Sequence, residues 1–435
     1  MSTAVVDAGT GLDPGAEALL PGGAAGEEGL LAAVASRSLR GGAWALLTVG
    51  SGMAVAMART LVVARLLGAR EMGVMGIALL VLGTVDAFTN TGVEAALVSQ
   101  PGDVRKELGS AFAIHSVRGL LIAALLWAAA PLVASFFGTA AAVPVIRAVA
   151  VTPLLRGLSN PAVLLLVKRI EFGRIFWWSL PELVAGFGVA VTVALARGDV
   201  WALVAGVVAG QAASTLSSWL MVRERPGLRV SRGRVRRLLG YGRWISGVRV
   251  LGWVSLSADN AVVGRLLGAS ALGVYQLAFR VGELGVATFT RALLQVALPA
   301  LTELHGTTQL GRGFRAALRL VLAANGAFAL AVLLWARPVL AWLLGPAWLP
   351  AVPVLRILVV AMVFRAVVVL AGELFSAVRR PSITLQVNAV RVGVMLATLL
   401  PLVYRYGMEG AAVSVLLSSV VAAVLSLQRA RGLLG

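Results

Sequence analysis

A chain of 435 residues with 59% hydrophobic and 13% charged residues lacks the polar surface of a soluble domain, which carries roughly a quarter charged residues. It has no cysteine and two histidines, His115 and His305, so disulfides and a zinc site built on such ligands are excluded. A net charge of +19 would suggest nucleic acid in a soluble protein; in a bilayer it reads as basic loops on one side, and no nucleic-acid partner is expected.

Residues 1–38 are Gly/Ala-rich with scattered acids (Asp7, Asp13, Glu17, Glu27, Glu28). No basic region followed by an apolar core appears there, so they read as a disordered cytoplasmic tail and not as a signal peptide. Apolar segments near the ~20 residues that cross a hydrocarbon core then follow one another. They are 42–66, 72–98, 109–137, 144–167, 176–197, 200–222, 243–267, 273–300, 314–336, 351–376, 383–404 and 409–428. The predicted architecture is all-α, with twelve spans and with eleven or fourteen as the alternative counts. The second and eighth segments are long and carry polar residues, which predicts tilt or bending.

With the N-terminus inside, the inner loops hold Arg37, Arg40, Arg105, Lys106, Lys168, Arg169, Arg174, the cluster over 223–243, Arg312, Arg315, Arg379, Arg380, Arg429 and Arg431. The outer loops hold little beyond Arg70, Arg197, Arg337 and Arg405. Basic loops resist translocation, so both termini are expected in the cytoplasm, which requires an even number of spans. The chain divides into an N-lobe over 39–223, a basic cytoplasmic linker over 224–240 and a C-lobe over 241–435. The linker, ERPGLRVSRGRVRR over 224–237, reads as an orientation signal, with membrane lipids of negative charge as a further partner.

The two lobes repeat one another. ARLLGAREMGV (64–74) recurs as GRLLGASALGV (264–274) with seven of eleven positions identical, and AVPVIRAVAV (142–151) recurs as AVPVLRILVV (351–360) with six of ten. Both pairs lie about 200 residues apart in the same order. Six spans per half give the halves the same orientation about an axis along the membrane normal, a transporter design with substrate handled between the halves. Gly68 and Gly268 are expected to end helices with positive φ, and Gly73 and Gly273 to let the next helix pack closely at its start.

The run SADNAVVGRLLGASALGVYQLAFRV (257–281), followed by Pro299, together with LLGPAWLPAVPVLRIL (343–358), resembles the oligosaccharide flippases of the multidrug/oligosaccharidyl-lipid/polysaccharide exporter superfamily. The Wzx-type polysaccharide exporters, with their MATE-like fold, are most similar. The resemblance covers roughly 40–430, and many members carry two spans more. It implies two six-helix lobes around a central cavity lined chiefly by helices one, two, seven and eight. It also implies a non-enzymatic flippase of the bacterial inner membrane, moving an undecaprenyl-diphosphate-linked oligosaccharide to the outer leaflet. An H+ or Na+ gradient would drive it, and the chain would act as a monomer associated with polysaccharide assembly proteins. Two alternatives stand: a drug/cation antiporter of the same superfamily, and a membrane glycosyltransferase or polymerase. The second needs large outer loops, and these are short. No phosphate-binding Gly-x4-Gly-Lys-Ser/Thr loop and no nucleophile–base constellation appear, so neither ATP, a cofactor nor catalysis is expected.

An ionisable residue inside the bilayer costs ~2.5–3.5 kcal/mol on insertion scales, so each requires a partner or a watery cavity. Arg59 on helix one and Asp259 on helix seven hold equivalent repeat positions, with Asn260 beside the acid, and are expected to face each other across the lobes. Arg280 and Glu283, three apart on helix eight, share a face. With Arg291 on helix eight, Asp86 on helix two and Arg249 on helix seven, these residues form the expected substrate cavity. A guanidinium's forked donors suit diphosphate oxygens. With no native cysteine, the topology can be read with single cysteines: Val230→Cys should label from the cytoplasmic side alone, and labelling from outside would overturn the orientation.

Overall fold

The computed structural model describes residues 47, 50–99, 104–169, 171–227, 230–303 and 309–434, and among these every regular element is helical. The expected tail over 1–38 lies outside the described residues. Helix α1 (50–66) leads into α2 (Ala69–Phe88) and the short α3 (Val93–Ser99). A 3₁₀ turn (Arg105–Glu107) then opens α4 (Leu108–Phe136). The fourth predicted span is three pieces, α5 (Ala142–Val149), α6 (Val151–Gly157) and α7 (Val163–Lys168). Pro153 and Pro161 explain the breaks, because a proline lacks the amide donor and crowds the carbonyl one turn before it. Helices α8 (Phe172–Arg197) and α9 (Trp201–Met221) complete the first half.

The second half opens with α10 (Arg232–Glu303), broken at Gly268, where φ is 83° and ψ 177°. Helices α11 (Leu310–Leu343), α12 (Ala351–Ala377) and α13 (Pro381–Leu434) follow, α13 bending at Gly407 with φ 59°. Among the described residues eight helices are long and apolar enough to cross a membrane. The bends divide two of them, α10 and α13, into the paired spans seven–eight and eleven–twelve of the sequence. Outward faces carry Leu121, Trp127, Leu132, Leu195, Leu220 and Trp342, all exposed. Large apolar side chains on so many outward faces are stable only against lipid.

The largest core crosses the lobe boundary, joining Ala64, Val74 and Ile77 of the first half to Leu272, Tyr275 and Leu358 of the second. Its closest point is the crossing of α2 with the second arm of α10. A methyl on Gly73 would overlap the carbonyl oxygen of Ala269, and one on Gly273 would overlap that of Ala69. Each repeat glycine thus touches the backbone of the other repeat. The expectation for the preceding glycines holds in one lobe: Gly268 has positive φ, whereas Gly68 has φ −85° and starts α2 in extended backbone.

At the opposite end, Glu224 ties three loops of the first half together. It lies 3.1 Å from Arg169 and 3.9 Å from Arg105, and its carbonyl accepts from Asn160 Nδ2 at 2.9 Å. Its own backbone amide first, then Arg169 and Arg105, hold its carboxyl below the ordinary range.

The crossing yields a stability prediction. Gly73→Ala should destabilise by about 1–3 kcal/mol, since backbone cannot yield as a side chain would. Gly188→Ala in α8, where a methyl meets nothing within 4 Å, should be neutral or stabilise by about 0.5–1 kcal/mol. Equal thermal midpoints for the two variants in detergent would remove the crossing from this role.

Candidate functional site: a cavity between the lobes

A cavity of about 460 Å³ lies between the halves. Met53, Ala56 and Thr60 of α1, spaced three and four apart, present one stripe to it. Gly76, Leu79 and Leu80 of α2 line the same side. The first arm of α10 contributes Trp253, Leu256, Ser257 and Asn260, and the second arm Gln276, Phe279, Arg280 and Glu283. These are the helices predicted as one, two, seven and eight. The glycine crossing bounds the cavity at the Gly68 end. At the other end Trp253 lies against Gly83 and donates through Nε1 to Thr84 Oγ1 at 3.0 Å.

Two guanidiniums converge on one wall. A recess of about 50 Å³ opening beside Thr60 is lined by both Arg59 and Arg280, from opposite lobes. Arg59 Nη1 would lie 3.6 Å from a methyl on Gly186 of α8, and Glu182, one turn earlier on that helix, is the acid that acts on it. Arg280 feels the charges of Arg59 and Glu283. Arg280 and Glu283 share a face, as their spacing predicts.

Arg59 and Asp259 do not meet. Asp259 is 2% exposed and turned into the second lobe, where Oδ2 accepts from Tyr275 Oη at 2.7 Å. Its Oδ1 accepts from the amide of Asn260 at 2.8 Å and from Asn260 Nδ2 at 3.0 Å. Arg365 and Arg391 lie in the same polar interior, with Arg391 bonded to Ser255. The reason is the symmetry itself. An axis along the membrane normal maps the interior of one lobe onto the interior of the other, so equivalent residues each turn inward and need not face. Exchanging the two charges therefore should not restore a pair.

Asp86 is held elsewhere. Helix α2 ends at Phe88, and the chain turns through Gly92, with φ 62°, whose amide donates to Asn90 Oδ1 at 2.9 Å. Arg118 of α4 clamps this break. Its Nε donates to the Thr89 carbonyl at 2.8 Å, and its Nη2 to the Asp86 carbonyl at 2.8 Å and to Oδ1 at 2.7 Å. The polar run Thr89–Asn90–Thr91–Gly92 was the available sign of the bend expected in the second span. Arg249 and Arg291 lie on α10, but their side chains fall outside the described residues.

Sequence reasoning passed over Trp253, Gln276, Glu182 and Tyr275. The repeat offers a signal for two of them. Trp253 is the equivalent of Met53 and Gln276 of Gly76, and all four line the cavity.

A family model described as "Polysaccharide biosynthesis protein" matches residues 62–353. The chain belongs to that family. It is 20% identical over 397 residues to the lipopolysaccharide biosynthesis protein WzxC of Escherichia coli K12, spanning 90% of this chain and 80% of that protein. It is 24% identical over 318 residues to the succinoglycan biosynthesis transport protein ExoT of Rhizobium meliloti, spanning 72% and 64%. Among solved structures, the lipid II flippase MurJ in an inward closed conformation superposes with a TM-score of 0.75 at 13% identity, covering 88% of this chain and 87% of that one. That likeness fixes the fold as an all-α membrane fold.

The clamp on α2 predicts an asymmetry between its partners. Arg118→Gln removes three charge-assisted bonds and should cost about 2–4 kcal/mol. Asp86→Asn keeps an acceptor oxygen and both carbonyl bonds, and should cost about 1 kcal/mol. Equal losses of thermal stability would mean that the ion pair, and not the carbonyl bonds, holds the break.

Proposed function

We propose that this protein moves a lipid-linked oligosaccharide across the bacterial inner membrane, from inner to outer leaflet, by alternating access of its two lobes. The observation that carries the reading is the convergence of Arg59 and Arg280 on one recess of the cavity between the lobes. Two like charges brought together in low dielectric are unfavourable unless something anionic joins them. A diphosphate esterified at both ends supplies about two negative charges and several acceptor oxygens for forked donors. Burying that headgroup without cationic partners would be prohibitive, while the lipid tail stays in hydrocarbon.

Glu283, Asn260 and Gln276 offer acceptors and amides for sugar hydroxyls along the same wall. Asp259, buried behind Asn260, which lines the cavity and donates to its carboxylate, is assigned to coupling with an H+ or Na+ gradient. A cation antiporter of the same superfamily is the rival, and Glu283 is the observation on its side.

The test is export of surface polysaccharide, or build-up of the lipid-linked precursor, in cells carrying variants. Arg59→Gln and Arg280→Gln should each reduce export about tenfold or more at unchanged membrane abundance, the loss of one charged hydrogen bond. Lysine at either position should restore part of it, since a point charge cannot reproduce the fork. Asp259→Asn should leave precursor binding intact and remove the response of export to the gradient. Normal export in both arginine variants would make the antiporter the better reading.

A further inference from the structure

At the Gly68 end, each lobe sends one arginine across the boundary. Arg65 lies in the last turn of α1, and its Nη1 donates to the carbonyls of Trp342 at 3.0 Å and Leu343 at 2.8 Å, in the last turn of α11. Arg265 is its repeat equivalent, on the first arm of α10. Its guanidinium carbon stands 5.3 Å from the ring centroid of Phe136, the last residue of α4. Helices α4 and α11 are the third spans of their halves, so one device occurs twice with the lobes exchanged. One hydrogen bond and one apolar contact also cross between the lobes beside them. Trp348 Nε1 donates to the Ala64 carbonyl at 3.0 Å, and a methyl on Gly264, the equivalent of Ala64, would stand 3.1 Å from the Phe137 ring.

The chemistry suits a closure that must also release. The last carbonyls of a helix have no partner within the helix and carry its negative partial charge. A guanidinium satisfies two of them at once, and it also stacks on an aromatic face. Every one of these contacts joins residues of different lobes, so all of them are lost when the lobes part at this end. The continuous apolar core beside them resists parting without direction, whereas the arginines can exchange carbonyl and ring for water within a small movement.

The geometry points to a two-arginine latch: Arg65 and Arg265 hold the outer gate of the cavity shut, each by gripping the end of the opposite lobe's third span. The latch is independent of what the cavity carries. It takes the Gly68 end as the outer one, the orientation given by the basic loops.

Ser257→Cys supplies a near-isosteric reporter on the cavity wall in a chain with no other cysteine. A membrane-impermeant maleimide is added to either face of sealed vesicles, in the parent and in latch variants. Arg65→Gln and Arg265→Gln should each raise the labelling rate from the outer face roughly tenfold, the double variant more, and Arg65→Lys less. The rate from the inner face should fall or stay unchanged. Acceleration confined to the opposite face would keep the latch and reverse the orientation. Unchanged rates in both single variants and in the double would overturn the latch. So would equal acceleration from both faces, because the arginines would then be ordinary packing residues whose loss loosens the fold.

Discussion

Backbone contact between α2 and the second arm of α10 is the constraint on which the rest of this structure hangs. Gly73 and Gly273 bring two main chains together where any side chain would hold them apart. In hydrocarbon there is no hydrophobic drive between helices, so close approach and its dispersion contacts supply most of the attraction. The crossing sits at one end of the lobes, and the cavity is the space that opens as the same helices diverge toward the other. While the crossing holds, small rotations about it become larger displacements at Trp253 and Thr84; opening the Gly68 end requires the two main chains to part.

The charges inside the bilayer divide into two kinds because the lobes are related by an axis along the membrane normal. Those that turn into a lobe find partners within it, as Asp259 does with Tyr275 and Asn260, and as Arg118 does with the broken end of α2. Those on the wall between the lobes, Arg280 and Glu283, keep company with space that a substrate can fill. Arg59 stands between the two kinds, tethered near Glu182 on one side and meeting the recess on the other.

Much of this was legible in the sequence, and for physical reasons. Hydropathy reports spans because every backbone group in lipid must be satisfied internally. Two collinear matches containing Gly, Pro and Arg reported the repeat, while the cavity helices came from the resemblance to the flippase family. Direction within a lobe was not legible, since a span's length says nothing of which way Asp259 faces. Nor did the φ of Gly68 follow from that of Gly268, although eight of the ten residues around each are alike in kind. The fourth span was read from hydropathy as one segment, and Pro153 and Pro161, which break it into pieces, carried a sign that total hydropathy conceals.

The crossing also bears on how such a chain came to look as it does. After a duplication, two copies of a half are free to drift apart wherever each faces lipid or its own interior. At Gly73 and Gly273 each copy is the other's surroundings, so a change in one is tested at once against the unaltered partner, and drift there is held back twice. The segment over 64–74 and its counterpart still match at seven of eleven positions, at the place where the two halves touch.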